Sequence, residues 1–212
     1  MSPRALLYLH GLASSPKGRK RAVLEGRFGP EGYVVVAPDL NVPSFGELSF
    51  DEMHAEAVVA YAETMPRVVV GSSLGALVAL SLADTLGREG APLVLIAPAL
   101  GFAERWASKL PVGEGVEMFH HGEGRNLTIH RAFFDEMAKV TVDATPPPVP
   151  VSVVMGTLDE TVPFAQVAAR WKEWEGSGRL APLSRFHAVE GGDHGLVDFG
   201  DAIEAAVRER LG

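Results

Sequence analysis

Short apolar runs rich in β-branched residues alternate with longer amphipathic stretches along this chain, and this alternation restricts the possible folds more than any other feature. The short runs at residues 5–9, 33–37, 67–70, 92–96, 151–155 and 184–189 predict strands, and the stretches at 17–28, 50–64, 74–86, 163–175 and 199–211 predict helices. Strands that alternate with helices pair in parallel and are covered on both faces. We therefore expect a three-layer α/β/α fold with about six mostly parallel strands.

Residues 99–148 interrupt this rhythm, because they form a longer connection than the others and run into the proline cluster TPPPVP. Their apolar content exceeds that of a solvated loop, and they contain no convincing strand. The stretch TIHRAFFDEMAKV predicts a helix capped by Thr128 or Asn126. We expect residues 1–212 to form one α/β domain, with 99–148 as an inserted, mostly helical cap at the carboxyl edge of the sheet.

The composition excludes several classes of function. A net charge of -8 would repel a nucleic-acid backbone, and the absence of cysteine excludes disulfides, thiolate metal sites and cysteine nucleophiles. No stretch approaches the roughly 18 unbroken apolar residues that a membrane helix needs. We expect a cytoplasmic protein that binds neither nucleic acid nor membrane, and whose chemistry rests on serine, histidine and carboxylates.

The stretch VVVGSSLGALVAL places two adjacent serines between a predicted strand and a predicted helix. A serine becomes a nucleophile when a sharp turn exposes it beside a base, and the elbow pattern G-x-S-x-G provides such a turn. Ser73 has glycine two positions before and two positions after it, whereas Ser72 has valine and leucine there. Ser73 is therefore the candidate nucleophile, although the same short pattern also occurs in glycine-rich turns without catalytic use.

An acid and a base follow in the chain order expected for this elbow, which is Ser, then Asp or Glu, then His. Asp159 lies in GTLDETVP after one predicted strand, and His194 lies in GGDHGL after the next. His194 can accept and return the serine proton, and Asp159 can orient the imidazole. Glu160 is a rival acid, Asp159 could instead cap the next helix, and we expect Asp193 to be solvated.

Two backbone N–H groups are candidates for an oxyanion hole, which stabilises the negative charge that develops on the substrate. One belongs to Leu74, the residue after the elbow. The second belongs to Leu12, because LLYLHGLASSP runs from a predicted strand into a turn in which Gly11 lets the loop fold over the serine. We expect His10 to brace this loop.

The inserted region supplies the candidates for a substrate pocket and one unusual histidine group. Its aromatic and aliphatic side chains predict a pocket for the acyl or alcohol group, formed by Phe102, Trp106, Met118, Phe119 and Phe133. His120, His121 and His130 resemble a metal cluster but lack a matching carboxylate pattern. We therefore expect no metal.

With LYLHGLASSP, GSSLGA, GTLDETVP and GGDHGL in this order, the chain resembles the α/β-hydrolase superfamily over nearly its whole length. The stretch LHGLASSPKGRK on a body of this size is similar to the small bacterial YqiA-like esterases. The resemblance implies hydrolysis of an acyl ester through an acyl-enzyme. It implies a triad of Ser73, Asp159 and His194, backbone donors at Leu12 and Leu74, and no cofactor.

The predicted substrate is a carboxylic acyl ester of small or medium size. A thioesterase, an acyl-peptide hydrolase or a lactone hydrolase would use the same residues. A member of the fold that only binds ligands is the alternative outside enzymes. Beyond a small-molecule substrate the sequence names no partner, and it is compatible with a homo-oligomer.

Overall fold

The computed structural model describes residues 4–107 and 113–212. The strands of this part of the chain are β1 (Arg4–Leu9), β2 (Tyr33–Val36), β3 (Val68–Ser72), β4 (Leu93–Ile96), β5 (Gly115–His120), β6 (Arg125–His130), β7 (Val151–Gly156) and β8 (Arg185–Val189). Its α-helices are α1 (Arg19–Phe28), α2 (Phe50–Thr64), α3 (Leu74–Leu86), α4 (Phe102–Ala107), α5 (Arg131–Met137), α6 (Phe164–Gly176) and α7 (Gly200–Leu211).

A central sheet of six parallel strands has the order β2-β1-β3-β4-β7-β8. Every residue of β3, β4 and β7 is buried, because helices cover both faces of the sheet, as the continuous apolar runs predict. Helix α3 packs against β1, β3 and β4, whereas α7 packs against β3, β4, β7 and β8. Helices α2 and α3 contact each other, as do α1 and α7. The predicted three-layer fold is confirmed.

Two helices show how the local sequence sets their positions. Helix α2 begins after Ser49, whose side chain accepts a hydrogen bond from the N–H of Glu52 at 3.4 Å and so caps the helix. Helix α3 is apolar on almost all sides and is buried along most of its length. Burial of α3 against the central strands fixes the turn from which it starts, directly after β3.

The inserted region differs from the mostly helical cap that we predicted. It contains the short helices α4 and α5, but between them β5 and β6 pair as an antiparallel hairpin with Gly115 opposite His130. The helix predicted from Thr128 begins at Arg131, because residues 125–130 alternate between outward and inward side chains and Ile129 is fully buried. The stretch preceding α5 is therefore a strand.

The hairpin and α5 are anchored to the main domain by specific hydrogen bonds. At the tip of the hairpin, the N–H of His121 donates to the carbonyl of Ala13 at 2.9 Å. The carboxylate of Glu136 on α5 accepts from the Ser49 hydroxyl at 3.2 Å and from the N–H of Asp51 at 3.0 Å. The insertion thus contacts both the loop after β1 and the start of α2. Among the helices described, none combines the length and apolar character of a bilayer span.

Candidate active site

Ser73 occupies the turn between β3 and α3 in an unusual backbone conformation, with φ 54° and ψ −116°. A positive φ in a residue other than glycine costs about 1–3 kcal/mol and persists only where the surroundings impose it. Here the N–H of Ser73 donates to Ile96 O at 3.0 Å, and its carbonyl accepts from the N–H groups of Ala76 and Ala99 at 3.1 Å each. These three bonds hold the serine at the carboxyl edge of the sheet.

The glycines that flank Ser73 lie where no side chain fits. A Cβ on Gly71 would lie 2.6 Å from the carbonyl oxygen of Gly75, and a Cβ on Gly75 would lie 2.5 Å from the carbonyl oxygen of His10. Ser72 is buried at the end of β3. The crowded positions are therefore those two residues before and two residues after Ser73, as the elbow pattern predicts.

Ser73, His194 and Asp159 form a continuous hydrogen-bonded relay. The distance from Ser73 Oγ to His194 Nε2 is 3.1 Å, and the distance from His194 Nδ1 to Asp159 Oδ2 is 2.8 Å. The His194 side chain is 26% exposed, whereas that of Asp159 is fully buried. Because the carboxylate accepts the proton of Nδ1, Nε2 is left to accept the serine proton.

Asp159 uses both of its carboxylate oxygens. While Oδ2 faces His194, Oδ1 accepts from the N–H groups of Thr161 at 2.9 Å and Val162 at 2.8 Å. The carboxylate therefore also caps the turn before α6, so the two alternatives considered for it coexist. Its rival Glu160 is exposed to solvent.

Backbone contact between two loops brings the carboxylate and the imidazole together. The N–H of Leu158 donates to Gly192 O at 2.9 Å, and a Cβ on Gly156 would lie 2.5 Å from the carbonyl carbon of Gly192. Asp193 is exposed, as predicted, but its Oδ1 accepts from the N–H of Leu196 at 2.8 Å and so tightens this loop. Glycine at 156 and 192 permits an approach that side chains would prevent.

The loop after β1 passes over Ser73, at the place predicted for an oxyanion loop. A Cβ on Gly11 would lie 3.0 Å from the Cβ of Ser73. Within the described residues, the N–H groups of Leu12 and Leu74 donate to no protein acceptor, and that of Leu74 has no partner inside α3 because it begins the helix. Both groups therefore lack a hydrogen-bond acceptor in this part of the chain.

His10 holds this loop from below. It is 1% exposed, its Nε2 accepts from the N–H of Leu40 at 2.9 Å, and its Nδ1 donates to Gly11 O at 3.0 Å. Burial lowers the pKa of His10, which favours this neutral form. On the other side, the bond from His121 to Ala13 ties the same loop to the hairpin.

A cleft of about 470 Å³ opens above Ser73. It is lined by Tyr8, Gly11, Leu12, Ser14, Ser15, Lys17, Gly18, Arg19, Lys20, Ser72, Ser73, His121, Gly122, His194, Gly195 and Val197. Burial raises the pKa of the Tyr8 phenol to about 12, so this group stays protonated at neutral pH. The cleft is polar and basic, and its residues come mainly from the loop after β1 and the start of α1.

None of the five residues predicted for a substrate pocket lines this cleft. Phe102 and Phe133 are buried, with ring centroids 6.2 Å apart, and Trp106 stacks on Phe102 at 5.8 Å. Met118 packs against the core, whereas Phe119 is 51% exposed on the outer side of β5. Apart from Phe119, these side chains belong to the hydrophobic core or pack against it, and aromatic content alone could not distinguish such packing from a pocket.

The three histidines of the insertion do not form a common site. His120 Nδ1 accepts from the N–H of Glu123 at 3.0 Å and its ring packs edge-on against Phe45, while His121 lines the cleft. In residues 4–107 and 113–212, no group of three or more histidine, aspartate or glutamate side chains is arranged to hold a metal ion.

Several solved structures share the fold of this chain. A protein from Agrobacterium vitis S4 superposes with a TM-score of 0.80 at 22% identity, covering 99% of this chain and 88% of that one. Est1E from Butyrivibrio proteoclasticus, with bound ferulic acid, has a TM-score of 0.77 at 16% identity, covering 99% and 90%. A monoacylglycerol lipase from Paleococcus ferrophilus has a TM-score of 0.74 at 20% identity, covering 98% and 96%. The shared architecture is the α/β-hydrolase fold.

Sequence comparison narrows the relationship within this fold. No curated protein sequence matches the chain. The model of the uncharacterised protein family UPF0227 matches residues 5–208, which include the elbow and the loops that carry Asp159 and His194. The chain therefore belongs to the uncharacterised protein family UPF0227.

Proposed function

We propose that this protein is a serine hydrolase that cleaves carboxylic acyl esters of small or medium size through an acyl-enzyme. The relay from Asp159 through His194 to Ser73 is the observation that carries the proposal. A strained elbow, a buried carboxylate and an imidazole between them serve no evident purpose in a protein that only binds ligands. The esterase and lipase among the fold relatives are consistent with it.

In the acylation step, Ser73 Oγ attacks the carbonyl carbon of the ester while His194 Nε2 takes the serine proton. The carbonyl oxygen becomes an oxyanion, to which the N–H groups of Leu12 and Leu74 donate hydrogen bonds. Asp159 stabilises the imidazolium and keeps Nδ1 protonated. When the tetrahedral intermediate collapses, the bond to the alcohol breaks, and His194 protonates the departing oxygen.

Deacylation repeats these steps with water as the nucleophile. His194 removes a proton from water, whose oxygen attacks the acyl carbon, and the bond to Ser73 Oγ then breaks with return of the proton to the serine. The products are a carboxylic acid and an alcohol, and the residues return to their starting protonation states. Because every step is an acid–base or acyl-transfer step, we propose that no cofactor takes part.

The size and opening of the cleft favour a small or medium ester. A volume of about 470 Å³ lies within the range of small-molecule sites, and the cleft is open to solvent. A thioester, an acyl-peptide or a lactone presents the same kind of carbonyl to Ser73, and these substrates remain the alternatives. A cytoplasmic location remains a prediction.

Labelling with a fluorophosphonate probe tests the nucleophile. We expect the wild-type protein and Ser72→Ala to label at neutral pH, and Ser73→Ala not to label. The two serines are adjacent, so Ser72→Ala is a matched control for a lost hydroxyl at this turn. The proposal is wrong if the folded wild-type protein does not label, or if Ser73→Ala labels as the wild type does.

A second assay identifies the bond and the acyl length. Rates on p-nitrophenyl esters from acetate to decanoate should peak at short or medium chains and vanish in Ser73→Ala. Thioesters of the same acyl groups, measured in parallel, test the nearest alternative. Activity confined to the thioesters would replace the ester hydrolase by a thioesterase that uses the same triad.

A further inference from the structure

The cleft above Ser73 has a charge opposite to that of the whole chain. The protein carries a net charge of -8, yet Lys17, Arg19 and Lys20 line the cleft, and none of the described Asp and Glu residues does. The hydroxyl-bearing residues Ser14 and Ser15 lie in the same wall. This concentration of positive charge in an acidic protein requires an explanation specific to the cleft.

The described part of the chain gives these cations no direct ion-pair partner. Among the described residues, Lys17, Arg19 and Lys20 form no ion pair with a carboxylate. The ammonium of Lys20 donates to the carbonyl of His194 at 3.3 Å. Burial lowers the pKa of Lys20 to about 8, while Asp159 and Asp193 favour its charged form. Lys20 is therefore mostly protonated at pH 7, without a paired anion.

Two further carboxylates near Lys17 have other partners. A second depression adjoins the cleft, shares Ser15, Lys17 and Gly122 with it, and is bordered by Asp39 and Glu123. Asp39 accepts from the N–H and side-chain amide of Asn41 at 3.0 and 2.8 Å. Glu123 lies 3.7 Å from the guanidinium of Arg125. Neither Asp39 nor Glu123 pairs with a cation of the cleft, so these cations can pair with an anionic ligand.

We propose that the ester cleaved at Ser73 carries an anionic group, a carboxylate or a phosphate, which binds against Lys17, Arg19 and Lys20. This inference rests on the proposed hydrolase function and adds the charge of its substrate. Cationic groups in a cleft attract an anionic substrate and hold it in one orientation, with its carbonyl at Ser73. A neutral ester of the same size reaches the same serine without this attraction.

Matched esters test the inference at pH 7 and low ionic strength. Three p-nitrophenyl esters place a carboxylate, a phosphonate or a neutral methyl ester at the far end of the acyl chain: the adipate monoester, the 5-phosphonopentanoate and the methyl adipate. A second pair, 3-carboxyphenyl butyrate and its methyl ester, places the charge on the alcohol. We expect kcat/KM to be about tenfold higher for at least one anionic ester than for its neutral partner, and the preference to shrink in high salt.

Charge variants show whether these cations cause the preference. Lys17 and Arg19 are both exposed. Lys17→Gln and Arg19→Gln should each reduce the ratio of anionic to neutral kcat/KM by about two- to fivefold, the range for an exposed charge pair. Arg88→Gln removes the same charge beyond the far end of α3, about 20 Å along the helix from Ser73, and should leave the ratio unchanged. Lys20 is unsuitable for this comparison because its ammonium also supports the His194 loop.

The outcomes separate this inference from the proposed function. Equal hydrolysis of the charged and neutral partners in both sets overturns the anionic substrate and leaves the hydrolase intact. A preference that persists in the Lys17→Gln, Arg19→Gln double variant overturns the assignment to these residues. Absence of all ester hydrolysis together with absence of fluorophosphonate labelling overturns both proposals.

Discussion

Replacing Gly11 by alanine should impair catalysis more than folding. The added Cβ would lie 3.0 Å from the Cβ of Ser73 and 3.1 Å from the carbonyl oxygen of Ser72. Because carbon atoms pack best at about 3.5–4.0 Å, the loop must move away from the serine by about half an ångström. Leu12, whose N–H is a proposed oxyanion donor, would move with it.

The size of the effect can be estimated from this displacement. A misplacement of about 1 Å can reduce the rate by about a hundredfold, so half of it predicts a loss of about tenfold in kcat. Full loss of one oxyanion donor would extend this to about 100- to 1,000-fold. Overpacking costs about 1–3 kcal/mol, and each kcal/mol lowers the melting temperature by about 2–4 °C for a chain of this size.

Two other glycines provide the controls. Gly26 lies in α1 with open space around its Cβ position, so Gly26→Ala should leave kcat unchanged and stabilise the protein by about 0.5–1 kcal/mol. Gly75→Ala would press a Cβ against the backbone of His10 at 2.5 Å and should prevent normal folding. Steady-state kinetics on p-nitrophenyl butyrate and thermal melting measure all three variants. If Gly11→Ala keeps kcat within about twofold of the wild type, the loop does not cover Ser73 as described.

Four further substitutions probe the relay and its surroundings. Asp159→Asn should keep the cap on the N–H groups before α6 but lower kcat by about ten-thousand-fold, whereas Glu160→Gln, at an exposed neighbour, should not change it. Burial lowers the pKa of His10, so the unfolded chain binds a proton at this residue at a higher pH than the folded protein does. The wild type should therefore lose stability as the pH falls below about 6.5. In urea melts, His10→Gln should lose less unfolding free energy than the wild type over the same pH interval. An equal loss would show that His10 is not the cause. Arg105 donates to the carbonyls of Ala99 and Leu100, so Arg105→Met should lower stability by about 1–3 kcal/mol in thermal melts, and an unchanged melting temperature would contradict it.

The central strand β3 and the helix α3 could be predicted because buried elements consist almost entirely of apolar residues. The helix predicted at 74–86 coincides with α3, and the strand predicted at 67–70 lies within two residues of β3. Both elements are buried on nearly all sides, so the run of apolar residues directly marks their extent. The position of Ser73 was also predictable, because only glycine fits the crowded positions beside it.

The inserted region was harder to predict, because its strands bury only one face. In β5, Val116 and Met118 face inward while Glu117 and Phe119 face outward, and this period of two was the available signal for a strand. The same alternation explains why Phe119 does not contribute to a pocket. Aromatic content alone does not show which way a side chain points, whereas the alternation along the strand does.

The basic cleft could not be predicted from the sequence, although its residues stand out in it. The run KGRKR contains Lys17, Arg19 and Lys20, but a short run of positive charge more often marks a solvated surface. Its position beside Ser73 depends on tertiary structure, because the cleft is formed only where the loop after β1 and the start of α1 meet the turn after β3. These basic residues are far from Ser73 in the sequence and lie close to it only in the folded chain.

Because β4 pairs directly with β7, the inserted region can change in length and sequence without altering the central sheet. Leu93 lies opposite Val151 and Ile96 opposite Val154, so the chain leaves the sheet and returns to it on neighbouring strands. The entropy of closing such an excursion grows only with the logarithm of its length. Among the described residues of the insertion, only His121 and Gly122 at the hairpin tip line the cleft. A change in the hairpin tip would therefore alter the wall of the cleft while leaving the strands and turns that carry Ser73, Asp159 and His194 as they are.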